Sequence, residues 1–140
     1  MIQRIVLDTN VLVSAIRSRN GASFRLMSVI DSPKIELALS VPVVLEYEAS
    51  SKKNAHHSGL SHNDIDVIIN YLCKIGKHYR IYYLWRPLLR DPKDDMILEL
   101  AVTSNSKYII TFNERDFREA VWFGIKIITP KQLLKQIGEL

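Results

Sequence analysis

Short runs of β-branched and aromatic residues recur along this chain, each followed by a segment of helical spacing, and that alternation limits the possible folds more than any single motif does. QRIVL (3–7), IELALS (35–40), YRIYYL (79–84), KYIITF (107–112) and IKIIT (125–129) read as strands. Between them, VLVSAI (11–16), the segment 22–30 after Gly21, VVLEYEAS (43–50) behind Pro42, DIDVIINYLCKIGKH (64–78) and DPKDDMILELAVTS (91–104) read as helices. Ile65, Ile68, Ile69, Leu72 and Ile75 keep three-or-four spacing in the longest of these, with Ser61 or Asn63 as its cap. KKNAHHSGL (52–60) is polar and reads as a loop, a short helix is expected after Asp116, and PKQLLKQI (130–137) closes the chain as a helix. Strands joined through helices of about ten or more residues pair in parallel by right-handed crossovers. The expected fold is α/β, a three-layer α/β/α sandwich around a central parallel sheet of about five strands, one domain over residues 1–140. In such a sheet the functional crevice lies beyond the carboxyl ends of the strands, where strand order reverses.

Composition removes several other classes. The chain is 47% apolar and 24% charged, as an ordinary globular domain is, so neither a disordered nor a fibrous class fits. Cys73 is the only cysteine, which excludes an intrachain disulfide and a thiolate cage and suits a reducing cytoplasm. The opening MIQRIVLDTN is too soon polar for a signal peptide, and no apolar run nears the ~18 residues of a membrane span. A net charge of +4 is compatible with a polyanionic partner.

Against that basic background, acids stand at four places where the alternation predicts the crevice. Asp8 follows IVL and precedes Thr9 and Asn10; its ordinary role would be a helix cap. Glu46 and Glu48 lie about 200° apart on one helix, so only one of them can face the crevice, and spacing alone leaves the choice open. In RDPKDDMILELA, Asp91 before Pro92 reads as an N-cap that Asp94 can answer as a capping box. Asp94 also heads an inward stripe with Ile97, Leu98 and Ala101, whereas Asp95 shares a face with Glu99 and is expected in solvent. TFNERDF places Thr111, Asn113 and Asp116 after the KYII strand. Carboxylates converging within about 6 Å raise one another's pKa unless a cation neutralises them. The candidate donors are all oxygens, and His56, His57, His62 and His78 form neither HxH nor HxxH, so hard Mg2+ or Mn2+ is favoured over zinc. His56 and His57 read as surface residues.

Taken together, IVLDTNVLVSA, LEYEAS, RDPKDDMILELA, YIITFNERDF and IITPKQLLKQI resemble the PIN domain, and more narrowly the VapC-like toxins of bacterial toxin–antitoxin pairs. The resemblance spans nearly the whole chain, in order and in spacing. By position it implies that Asp8, Glu46, Asp94 and Asp116 hold the metal and carry catalysis, supported by Thr9, Asn10, Asp91, Thr111 and Asn113. It implies a metal-dependent endoribonuclease, with RNA as substrate, a small antitoxin as partner, and a homodimer. Many relatives carry an acid where this chain has Asn113. A basic rim must offset phosphate repulsion, and Arg17, Arg19, Lys52, Lys53, Arg86, Arg90 and Arg115 are its candidates. Two rival readings remain beside this one. A haloacid-dehalogenase-type phosphohydrolase would need an acid where Asn10 stands, while a catalytically silent PIN-fold module would bind RNA or protein without cutting.

Overall fold

In a computed structural model that describes residues 2–82 and 91–140, five parallel strands form one sheet in the order β3-β2-β1-β4-β5. The strands are β1 (Gln3–Leu7), β2 (Ile35–Leu39), β3 (Lys77–His78), β4 (Tyr108–Ile110) and β5 (Lys126–Ile128). Helices α1 (Thr9–Arg17), α2 (Ala22–Ser28), α3 (Val41–Lys53), α4 (Ala55–Ser58), α5 (His62–Ile75), α6 (Pro92–Thr103) and α7 (Pro130–Gln136) surround it, with a 3-10 helix at Glu114–Phe123. The α/β sandwich expected from the alternation is the fold observed.

β1 lies at the centre because Ile5, Val6 and Leu7 are wholly buried, and each such side chain taken from water stabilises the fold by roughly 1.5–3 kcal/mol. It pairs with β2 in the register Gln3↔Ile35 and with β4 in the register Leu7↔Ile110. The chain leaves β1 toward β2 and β3, then returns to β4 on the other side. The strand order therefore reverses between β1 and β4, which locates the crevice at their carboxyl ends. Ser40 starts α3 by accepting a hydrogen bond from Val43 N, with Pro42 in the first turn where its missing N–H costs nothing. From that helix the buried Tyr47 reaches back and donates its hydroxyl to the Leu7 carbonyl, tying α3 to the end of β1.

Three sequence expectations need correction. Residues 52–60 are largely helical: α3 runs on through Lys53, and α4 ends at Gly59, whose φ of 75° is the left-handed conformation that stops a helix. A polar composition misled there, because an exposed helix is polar too. The strand expected at 79–84 is displaced to Lys77–His78; Tyr79 through Tyr82 lie outside any strand, and residues 83 and 84 fall outside the described residues. β3 sits at the sheet edge with both residues exposed, so it carries no apolar signature. α5 ends before it at Gly76, which turns to an extended conformation (φ −79°, ψ 164°), and a Cβ there would fall 2.5 Å from Leu39 Cδ1, so the close approach to β2 needs glycine. Thirdly, Asp95 and Glu99 are buried at 2% and 3% exposure instead of standing in solvent. α6 packs against β1, β2, β4, α3 and the 3-10 helix, so it has hardly any solvent face to give them.

Among the described residues no helix is long and apolar enough to cross a membrane. The Tyr47 tether yields a prediction. Tyr47→Phe removes one buried hydrogen bond and is expected to cost about 1–2 kcal/mol in urea unfolding, with the fold retained by circular dichroism.

Candidate active site

At the carboxyl ends of β1 and β4 opens a cleft of about 310 Å³ lined by Asp8, Glu46, Asp91, Asp94, Asn113 and Asp116, with Thr9 and Asn10 beside them. The four acids singled out from the sequence thus line one cavity, although they come from positions as far apart as 8 and 116.

Asp8 is held most firmly. It is the first residue past β1, 6% exposed, and its backbone N–H donates to the Ile110 carbonyl at 2.9 Å. Thr111, itself 2% exposed, donates its hydroxyl to Asp8 Oδ2 at 2.7 Å and accepts the Asn113 amide at 3.0 Å. Thr111 therefore stands behind the cleft wall and orients the acid in front of it. Asp8 stands at the N-cap position of α1, but its side chain makes no capping hydrogen bond there. Burial pushes its carboxyl up to about 6; the Thr111 bond and the Thr9 amide oppose that, and the charges of Asp116 and Asp91 add to it.

Asp94 starts the inward face of α6. Its carboxyl is raised to about 7, first by burial and then by Asp8, Asp116, Asp91 and Asp95. Asp91 is the N-cap, and the bond it accepts comes from Lys93 N at 2.9 Å. Glu46 rather than Glu48 faces the cleft, with 13% of its side chain exposed; Glu48 points away and stands 3.7 Å from Lys52. Ser50 donates to Glu46 Oε1 at 2.6 Å, and Lys93 Nζ lies 3.4 Å from the same oxygen. Asp116 and Asn113 form the exposed rim, in and before the first turn of the 3-10 helix.

Sequence reasoning missed Val13, Ser50, Asn54 and Lys93, which also line the cleft. Val13 follows Thr9 by four, and Ser50 and Asn54 follow Glu46 by four and eight, so helical spacing could have found them. Lys93 had no such signal.

The basic candidates are scattered. Arg17, Arg19, Lys53 and Arg115 are exposed but do not line the cleft, and Arg19 borders a separate apolar hollow with Phe24 and Tyr71. Lys52 is engaged by Asp66 at 2.8 Å, and Arg86 and Arg90 lie outside the described residues. His56 and His57 are exposed, and His57 is lowered by the neighbouring His56, then by burial and Arg17.

The donor set suits a hard cation. Oxygens supply every polar contact available from Asp8, Glu46, Asp94 and Asp116, and Asn10 Oδ1 is buried with no hydrogen-bond partner. As the side chains stand, no group of three or more His, Cys, Asp or Glu among the described residues is tight enough to coordinate an ion. The backbones bring the acids to one cleft.

The raised carboxyls set a pH dependence. A folded-state pKa above the unfolded value means that the fold holds protons the unfolded chain has already lost, so stability falls as pH rises from about 4 to about 7. Without divalent ions the protein is expected to melt at a higher temperature at pH 5 than at pH 8. Asp94→Asn should narrow that gap and stabilise the protein at pH 8 by only about 1 kcal/mol, because solvent screens this partly exposed group. Thermal melts in EDTA at the two pH values check both statements.

A family model described as PIN domain matches residues 4–115 of the chain. Comparison with curated proteins found no match.

Proposed function

The chain belongs to the PIN-domain family, whose members are generally nucleases, and on that premise we propose that it is a divalent-metal-dependent endoribonuclease. The observation that carries this reading is the gathering of Asp8, Glu46, Asp94 and Asp116 around one cleft at the strand-order reversal, two of them with carboxyls raised by burial and mutual repulsion. Such a site destabilises itself unless a cation enters.

Asp8, Glu46, Asp94 and Asp116 would hold Mg2+ or Mn2+, with Asn10 Oδ1 a further oxygen within the same lining. When bound, the ion supplies Lewis-acid polarisation of the scissile phosphate and makes a water more acidic. The remaining steps belong to the chain. Thr111 donates to Asp8 Oδ2 and so orients the carboxyl that lines the cleft. Asp116, the exposed member of the set, is our candidate for taking the proton of the attacking water. Asp91 caps the first turn of α6, the turn that carries Asp94.

By resemblance to the VapC-like group we extend the reading to the toxin of a toxin–antitoxin pair, acting as a homodimer in the cytoplasm with a small antitoxin as partner. The single cysteine is consistent with that compartment. We also take the whole chain as one PIN domain, since β5 and α7 lie beyond the matched residues yet β5 completes the same sheet.

Purified protein is expected to cut single-stranded RNA in Mn2+ or Mg2+ and to stop when EDTA is added. Asp8→Asn should lower the rate roughly a hundredfold or more while keeping the fold. Equal cleavage by the variant would mean a contaminating nuclease and would sink the enzymatic reading in favour of a silent RNA- or protein-binding module, the alternative suggested by Asn113.

A further inference from the structure

Lys93 is the second residue of α6, with 61% of its side chain exposed, and its ammonium stands 3.4 Å from Glu46 Oε1 on α3. It is the only cation among the described residues lining the cleft, against five carboxylates: Asp8, Glu46, Asp91, Asp94 and Asp116. An exposed lysine beside one acid is ordinarily worth little. This one differs because its partner belongs to the set assigned above to the metal, and Ser50 already pins the same Glu46 oxygen at 2.6 Å.

Two cations cannot draw on one carboxylate group without repelling each other. Asp91 holds the backbone at Lys93 by accepting its N–H at 2.9 Å, so only the flexible stem is left to move. A phosphate entering a cleft lined by five acids needs a cation that can reach it, and the other described basic candidates lie outside that lining. Lysine suits an exchange of partners, being a compact charge on a long stem with no fixed bidentate geometry to break.

The geometry points to Lys93 as a phosphate-contacting residue that rests on Glu46 and, as RNA enters, yields that carboxylate to the divalent ion and takes a phosphate oxygen in exchange. This rests on the nuclease reading above. It gives the ammonium two measurable effects: it competes with the metal in the absence of RNA, and it supports RNA binding once substrate is present.

Lys93→Met keeps the length of the stem and its helix propensity while removing the charge. In the variant without RNA, Mn2+ titrated alone and followed by electron paramagnetic resonance is expected to bind about three- to tenfold more tightly. With a single-stranded oligoribonucleotide, KM should rise about five- to tenfold and kcat stay within about twofold, the pattern of a lost phosphate contact. The slope of log kcat/KM against log salt should flatten by about 0.7, one phosphate contact fewer on a single strand, and Lys93→Arg should restore it. An unchanged Mn2+ affinity, or an unchanged salt slope, overturns the proposal. A wild-type chain that takes up no Mn2+ overturns the nuclease reading instead, so the two failures are told apart.

Discussion

The parallel pairing of β1 with β4 is the contact on which the site depends. Their register sets Leu7 opposite Ile110, and the next step along each strand brings Asp8 N to the Ile110 carbonyl and the Thr111 hydroxyl to Asp8 Oδ2. A hydrogen bond spanning 103 residues of sequence is thereby a direct consequence of sheet register. Shifting β4 by one residue would turn Thr111 to the other face and leave a buried carboxyl without its donor. Tyr47 and α6 brace the same strand ends, one by a hydroxyl on the Leu7 carbonyl and the other by packing across β1, β2 and β4.

The cleft built on that pairing is electrostatically tense. Asp8 and Asp94 both sit with carboxyls raised well above the ordinary range, because burial and neighbouring acids act in the same direction. Thr111 and the Thr9 amide ease Asp8, and Lys93 stands against Glu46, but none of these removes the surplus of negative charge. A fold tolerates such an arrangement when a function requires it, and in the metal-dependent reading proposed above the stability given up at neutral pH would be recovered on cation binding.

Much of this was legible in the chain, for a physical reason. Strands buried on both faces must be apolar throughout, so IVL and YII announce themselves, and short polar residues after them mark the strand ends. Capping chemistry is local: Ser61, one of the two caps expected for α5, closes a box with Asp64, and Thr129 closes an unforeseen one with Gln132. Glu46, Asp94 and Asp116 could be named from motif spacing, though only the resemblance to a family separated Glu46 from Glu48. What failed was whatever depends on neighbours remote in sequence. β3 is a two-residue edge strand made by pairing with Ala38 and Leu39, and nothing in Lys77 or His78 foretells it. Residues 52–60 read as a loop from composition, yet they hold the end of α3 and all of α4, and Lys52 pairs with Asp66 on α5.

The sequence by itself determined the layered α/β architecture, the alternation of its main strands and helices, and which acids stand at strand ends or on helix starts. Those follow from periodicity and capping, which act over a few residues. Only the tertiary structure decided that Asp95 and Glu99 are buried, that Thr111 serves Asp8, and that Lys93 faces Glu46 across the cleft. Burial and ion pairing depend on what another part of the chain brings to within a few ångströms, and that is settled by how helices and strands pack.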